Sequence, residues 1–144
     1  SAVEQTLVIM KPMLVGNSIE INYKEDDNYL VRLYKNEFEQ ALIILIQNAK
    51  DALMEKRTQS AKIDITAIRK EINKIEITVT DNAGGIQEEI IDKIFEPYFT
   101  TKDDNKGTGI GLYLAKEIIE RRMNGKLYAK NGEFGAVFVI ELET

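Results

Sequence analysis

Alternating apolar and polar positions, the period of a β-strand, recur in six short segments of this chain. The segments are residues 19–23, 29–33, 62–69, 75–80, 126–130 and 136–141. Turn-forming residues lie between the members of successive pairs, at 25–28, near 71–73 and at Asn131-Gly132. The pattern therefore predicts a β-sheet.

The helical period covers two longer segments. The first begins at Asn36, a good N-cap, and runs to about Lys56, and the second covers residues 110–123. Asn124-Gly125 is expected to end the second helix. Shorter helices are expected over 2–10, where Pro12 would end or kink the helix, and over 87–94. Helices packed on one face of a mixed sheet form a two-layer α/β sandwich, which is the fold class that the pattern predicts.

The composition fits one globular domain over residues 1–144, and it excludes several classes of function. The chain has 44% hydrophobic and 30% charged residues, a net charge of −5 and no basic cluster, so nucleic acid is not an expected partner. It contains no cysteine and no histidine, which argues against disulfides, a thiol nucleophile and a structural zinc site. An acidic protein can still bind a nucleotide through local donors and a cation.

The hydrophobic runs are short. The longest covers residues 41–46, which is too short to span a membrane, and no signal-peptide pattern opens the chain. A cytoplasmic location without direct membrane contact is expected, and a membrane anchor elsewhere in a longer parent protein stays open.

Four short motifs follow one another in a fixed order. They are Gln47-Asn48-Ala49, Asp81-Asn82-Ala83-Gly84-Gly85-Ile86, Phe95-Glu96-Pro97-Tyr98-Phe99 and Gly107-Thr108-Gly109-Ile110-Gly111-Leu112. Each motif alone is a weak signal with a plain structural alternative.

Asn48 lies on the polar face of the first long helix, opposite an apolar stripe that should pack on the sheet. Asparagine is disfavoured in a helix interior unless its side chain has a partner. A neutral amide oxygen suits Mg²⁺, which keeps most of its waters and takes other ligands from phosphates. From this helix alone, an asparagine that simply faces solvent is an equally good interpretation.

Asp81 comes directly after a predicted strand. A carboxylate there can accept a hydrogen bond from the exocyclic amine of adenine, whereas guanine presents a carbonyl at that position. Gly84 and Gly85 allow the backbone to turn tightly and to approach a flat base. The alternative for this motif is an ordinary turn.

The glycines at 107, 109 and 111 lead straight into a helix, whose N-terminal N–H groups attract phosphate. Thr108 adds a hydroxyl donor, and Lys102 and Lys106 can screen phosphate charge. No strand precedes the segment, which excludes a Rossmann motif, and no Gly-Lys-Ser/Thr follows, which excludes a P-loop. A glycine-rich helix entry without a ligand is the alternative.

In this order, and most closely over about 36–142, the motifs resemble the catalytic and ATP-binding domain of bacterial sensor histidine kinases, in the GHKL family of Bergerat-type folds. The resemblance implies that Asn48 binds Mg²⁺ and is the catalytic residue, and that Asp81 reads adenine. The further ATP contacts that it implies are Gly85, Ile86, Lys102, Lys106, Gly107, Thr108, Gly109, Gly111 and Leu112.

The third motif resembles the family's phenylalanine box. The resemblance implies that Phe95 and Phe99 contact the dimerisation helices that present the target histidine, although chemistry alone favours core packing for Phe95. Residues 87–106 would then form a mobile ATP lid that nucleotide orders.

The implied function is to bind Mg-ATP and to donate its γ-phosphoryl group to a histidine on a separate dimerisation and phosphoacceptor domain. This belongs to two-component signal transduction, in which a response regulator is an indirect partner. Because the chain has no histidine, it is not expected to autophosphorylate alone. The isolated domain is expected to be a monomer, since the family dimerises through the domain that is absent here.

Two positions depart from the family pattern. Ile44 stands where ATP-hydrolysing members such as gyrase and Hsp90 carry a glutamate that activates water, and isoleucine cannot act as a base. Asp51 stands where many histidine kinases carry a lysine, so no phosphate contact is assigned to it. A gyrase- or Hsp90-like ATPase clamp, a non-catalytic ATP-binding regulatory module and an anti-sigma-type serine kinase stay open as alternatives.

Overall fold

The computed structural model describes residues 2–25, 35–99 and 110–143. The elements in chain order are α1 (Ala2–Gly16), β1 (Glu20–Glu25), α2 (Lys35–Glu55), β2 (Lys62–Glu71), β3 (Lys74–Asp81), α3 (Gly111–Glu117), β4 (Lys126–Asn131) and β5 (Ala136–Glu143). A short π-helix, Ile118–Arg122, continues α3. The strand expected over 29–33 and the segment 100–109 lie outside the described residues.

Within the described residues the sheet has five strands, in the order β1-β2-β3-β5-β4. The outer pair β1 and β2 is parallel, and the other three pairs are antiparallel. Two hairpins, β2–β3 and β4–β5, therefore meet along β3 and β5. The C-terminal end of β3 and the turn between β4 and β5 lie at the same edge of the sheet, because Thr80 pairs with Val137.

The core lies between one face of the sheet and the helices. Alternate residues of β2 and β3 are buried, and the intervening positions are half-buried or exposed. From the helical side, α2 contributes Phe38, Leu42, Leu45, Ile46 and Leu53, all almost fully buried. This confirms the predicted two-layer α/β sandwich with a mixed sheet covered on one face.

The first helix is longer than predicted. Instead of stopping before Pro12, α1 continues through the proline to Gly16. The proline removes one N–H, whose acceptor in an α-helix would be the carbonyl of Val8. Val8 and Pro12 are both exposed, so water can satisfy that carbonyl. The helix then closes with the backbone and the side chain of Asn17 donating to Met13 O.

The prediction of a helix over 87–94 is wrong. The structure has successive turns there, in which Ile90, Lys93 and Glu96 donate to the carbonyls three residues earlier. A bond at every third residue does not form a continuous ladder, and short helices are marginal without one. The segment is anchored by the side chain of Ile94, which is 8% exposed.

The bounds of the long helices differ slightly from expectation. α2 begins at Lys35, so Asn36 lies in its first turn and is not the cap. The predicted end of the second helix is confirmed, because Asn124 adopts a left-handed φ of 54° and the amide of Gly125 donates to Ile119 O. A Cβ on Gly125 would lie 2.4 Å from Glu141 O, so only glycine lets β4 start there.

Candidate functional site

Asp81 is a buried carboxylate at the end of the central strand β3. It is the last residue of the strand and only 4% exposed. Its Oδ1 accepts hydrogen bonds from the backbone N–H groups of Ala83, at 2.9 Å, and Ala136, at 3.4 Å. A Cβ on Gly135 would lie 2.7 Å from the same oxygen, so the absence of a side chain there lets β5 approach the carboxylate.

The surroundings of Asp81 disfavour its charged form. Burial raises the pKa of the Asp81 carboxyl, and the two backbone N–H groups and the charge of Lys56 oppose that rise. A carboxylate that is shielded from water in this way gains more from an incoming hydrogen-bond donor than a carboxylate at the surface does.

The loop after β3, residues 82–86, is held by contacts with the β2–β3 hairpin and with the β4–β5 hairpin. Asn82 accepts a bond from Lys62 N at 2.9 Å and donates one to Ser60 O at 3.0 Å, which ties the loop to the start of β2. Gly84 donates its N–H to Phe134 O at 3.1 Å. Gly84 and Gly85 have φ values of 95° and 91°, which explains why glycine is needed at both positions.

Ile86, the last residue of this loop, is bound by the side chain of Asn131. Asn131 Oδ1 accepts from Ile86 N and Asn131 Nδ2 donates to Ile86 O, both at 2.7 Å. The position that a Cβ on Gly85 would take is 2.7 Å from Asn131 Oδ1. The space beside Gly85 is thus occupied by an amide of the protein, which the expectation of an open approach to a base did not include.

Lys56, directly after α2, reaches the same loop. Its Nζ donates to Gly85 O at 3.0 Å. Near the middle of α2, Ile44 meets the start of α3, because a Cβ on Gly111 would lie 3.4 Å from Ile44 Cγ2. Ile44, one of the two positions that depart from the family pattern, is therefore a packing residue.

Asn48 lies on α2 between these two contacts. It is half-buried and one turn after Ile44, a rise of about 6 Å along the helix axis. Along the chain Asn48 thus lies between Ile44, which faces the start of α3, and Lys56, which contacts the loop after β3. Among the described residues there is no group of three or more His, Cys, Asp and Glu side chains that would hold a metal ion. A cation here would depend on the Asn48 amide oxygen, on water and on ligand oxygens, which fits Mg²⁺.

The predicted phosphate cradle is described only at its end. Gly111 begins α3 and Leu112 is half-buried against the core. The other expected contacts, Lys102, Lys106, Gly107, Thr108 and Gly109, lie outside the described residues. The roles of all of them stay predictions.

The aromatic segment contains three differently placed rings. Phe95 packs edge-to-face on Phe138, with 6.0 Å between ring centroids, and Lys116 Nζ lies 4.8 Å from its centroid. Phe99 is half-buried against the core. Tyr98 is 76% exposed and has a φ of 67°, a left-handed value that is rare for a bulky side chain. A partner role for Phe95 and Phe99 stays a prediction, and Tyr98 is the ring most open to contact.

Asn131, Lys56 and Gly135 also belong to the site, although the sequence does not predict their roles. The sequence predicts a turn at Asn131-Gly132, whereas Asn131 is the last residue of β4 and pairs with Ala136. In β4, Leu127 and Ala129 lie on the core side of the strand, and Asn131 follows them in the same alternation. Asn131 is itself exposed, so water can satisfy its amide and no feature of the sequence indicates a protein partner.

Among the described residues, no helix is both long and apolar enough to cross a membrane.

Comparisons with known proteins agree on one family. A family model described as histidine kinase-, DNA gyrase B-, and HSP90-like ATPase matches residues 34–144. Two-component sensor PprA of Pseudomonas aeruginosa is 36% identical over 146 residues, which cover 99% of this chain and 16% of PprA. The chain thus spans about a sixth of the length of that relative.

Solved structures give the same result. The catalytic domain of histidine kinase ThkA, in a nucleotide-free form, matches with a TM-score of 0.84 and 32% identity, over 99% of this chain and 91% of that one. ThkA in complex with the response regulator protein TrrA matches with a TM-score of 0.80 and 30% identity, over 99% of this chain and 39% of the ThkA chain. The chain belongs to the histidine kinase-, DNA gyrase B-, and HSP90-like ATPase family, and its fold is that of a histidine kinase catalytic domain.

Proposed function

We propose that this domain binds Mg-ATP and donates the γ-phosphoryl group to a histidine on a separate dimerisation and phosphoacceptor domain. The observation that carries the proposal is the buried carboxylate of Asp81 at the end of β3, followed by a loop whose backbone is fixed at both of its glycines. A buried acceptor of this kind requires a donor, and the exocyclic amine of adenine supplies one.

The base would be selected at Asp81. The backbone donors Ala83 and Ala136 both reach Oδ1. We expect Oδ2 to accept from the exocyclic amine, and a guanine carbonyl at that position to be repelled. Gly85 and Ile86 would border the base.

The phosphates would lie toward the start of α3. Asn48 would hold Mg²⁺, which neutralises phosphate charge when it is bound. Gly111 and Leu112, with Lys102, Lys106, Gly107, Thr108 and Gly109, would bind the phosphate oxygens. The position of Asn48 between Lys56 and Ile44 supports this direction for the nucleotide, because those two residues contact the loop after β3 and the start of α3.

The transfer itself needs no nucleophile from this chain. The bond between the γ-phosphorus and its bridging oxygen to ADP breaks, a phosphorus–nitrogen bond to the histidine forms, and the histidine loses a proton. Since the chain contains no histidine, the acceptor belongs to another domain or chain. Phe95 and Phe99 would contact the helices that present it, and a response regulator would receive the phosphoryl group afterwards.

A hydrolytic clamp is the second candidate, and the structure weighs against it. Hydrolysis needs a base for water, and Ile44 instead packs against Gly111. Steady release of phosphate by this domain alone would favour the clamp. Tight ATP binding without transfer to any histidine-bearing partner would favour a non-catalytic regulatory module.

The test is calorimetric titration of ATP with and without Mg²⁺, comparing the wild-type domain with Asp81→Asn. We expect saturable binding that weakens in Asp81→Asn, because an amide presents an N–H where the carboxylate accepted. The matched control is Asp64→Asn, since Asp64 lies on β2 and contacts Asn22. Absence of binding by the folded wild-type domain would overturn the proposal.

A further inference from the structure

The contact between Asn131 and Ile86 joins residues that are 45 positions apart in the sequence. Asn131 ends β4 on the same side of the sheet as the buried Leu127, at an exposed position where the chain after Gly85 passes. Its amide uses one acceptor and one donor on the same residue, so the two bonds fix both the position and the orientation of the Ile86 peptide groups.

The contact between Asn131 and Ile86 requires a glycine at position 85. A side chain on Gly85 would overlap Asn131 Oδ1, and its φ of 91° is itself unfavourable for other residues. On its other side, Gly85 O accepts from Lys56 Nζ at 3.0 Å. Gly85 and Ile86 are thus held between the end of β4 and the end of α2, directly after the carboxylate that would read the base.

We propose that Asn131 is a positioning residue for nucleotide recognition, which holds the Gly85-Ile86 backbone in register with Asp81 so that adenine is discriminated from purines that lack the exocyclic amine. The inference rests on the proposed function, because it assumes that Asp81 reads the base. Asn131 acts through Ile86 and touches no reacting atom.

The chemistry requires an amide. In Asn131→Asp the carboxylate still accepts from Ile86 N, but an oxygen then faces Ile86 O in place of a donor, and two acceptors repel each other. In Asn131→Ala both bonds are lost. Both variants should release the loop, and Asn131→Asp separates loss of the donor from loss of side-chain volume.

The first experiment measures the affinities of ATP and ITP for wild-type, Asn131→Ala and Asn131→Asp domains by calorimetry. ITP has a carbonyl where ATP has the amine, so the ratio of the two affinities reports base reading and not phosphate binding. We expect the ratio to fall about three- to tenfold in both variants, the loss expected for one or two hydrogen bonds. Asn73→Ala, in the β2–β3 turn at the opposite end of β3, should leave the ratio unchanged.

A role limited to folding would give a different result. It would lower the number of binding sites for both nucleotides and leave the affinity ratio as in wild type, which would overturn the inference. The second measurement is amide hydrogen exchange without nucleotide, in which the Ile86 N–H should lose protection in Asn131→Ala. Unchanged protection would also overturn it.

The two proposals fail separately. A wild-type domain that binds ATP and ITP equally would overturn adenine reading by Asp81, and the inference with it. A wild-type domain that discriminates, together with Asn131 variants that discriminate equally well, would overturn the inference alone and leave the proposed function standing.

Discussion

At the scale of single residues, the site depends on side chains that are absent as much as on those present. Gly135 has no Cβ, and one built there would lie 2.2 Å from Asp81 O and 2.7 Å from Asp81 Oδ1. Backbone and a buried carboxylate cannot move away as the end of a flexible side chain can. Gly135 is thus part of what allows Asp81 to be buried and hydrogen-bonded at once.

Gly135→Ala is therefore expected to lower the free energy of unfolding by about 1–3 kcal/mol, the usual cost of overpacking a site that cannot relax. Urea denaturation measures this. The matched control is Gly16→Ala at the end of α1, where an added Cβ would meet nothing within 4 Å. Equal stabilities of the two variants would show that β5 can shift away from Asp81.

Asp81 also predicts a pH dependence. Its pKa in the folded protein is raised above the ordinary value of 3.8 by burial, so the folded state holds this proton more tightly than the unfolded state. This tighter proton binding stabilises the folded state. The stabilisation is fully present below the unfolded pKa of Asp81 and is lost as the pH rises through the folded pKa. Relative to wild type, Asp81→Asn should thus gain stability as the pH rises above the unfolded pKa of 3.8, which urea unfolding measured from pH 4 to pH 7 would show. A constant difference across that range would contradict the prediction.

Asp81 could be predicted from the sequence as a site residue, whereas Asn131 could not. The sequence predicts Asp81 as a candidate because its strand and its glycines are neighbours along the chain. Asn131 is 45 positions from Ile86, and the two meet because β4 pairs with β5 and β5 pairs with β3. A hydrogen bond between a side chain and a distant backbone leaves no pattern in a single sequence.

At the scale of elements, the long periodic segments were predictable and the short ones were not. α2 and the hairpin strands carry enough apolar residues to be fixed by burial, so their periods decide their structure. In α1 and over 87–94, local signals compete with tertiary context. Pro12 stayed in a helix because its side of α1 faces solvent, and 87–94 formed turns around a single buried isoleucine, Ile94.

The exposed proline in α1 predicts a stabilising substitution. Pro12→Ala restores an N–H in the helix interior, where proline costs about 3 kcal/mol of stability. Part of this gain is offset, because the unfolded chain without the proline has more conformational entropy to lose on folding. We expect the free energy of unfolding to rise by about 1–2 kcal/mol in urea denaturation. Lys11→Ala, at the exposed neighbouring position, is the control and should change stability by less than about 0.5 kcal/mol.

At the scale of the whole molecule, one face of the sheet lies against the helices and the other carries mostly polar pairs. On that outer face the Thr66 and Thr78 hydroxyls are hydrogen-bonded to each other, and Lys74 and Tyr128 contact Glu141. Such a surface gives little apolar area for a stable contact between two copies. The sandwich itself follows from the strand and helix periods, but the order β1-β2-β3-β5-β4 does not, because it depends on which strands meet in space.

The isolated domain is accordingly expected to be a monomer. Sedimentation equilibrium should give a mass near the 16.4 kDa of the chain, independent of concentration and of Mg-ATP. The apolar surface that would most favour association is the outer side of α1, where Val8, Ile9 and Val15 are 60–75% exposed. If the mass instead doubled at high concentration, Ile9→Lys should restore the monomer, since a charge on that side would have to be buried on association. Any such doubling would contradict the expected monomer, and a dimer that Ile9→Lys leaves intact would show that a surface other than the outer side of α1 forms the contact.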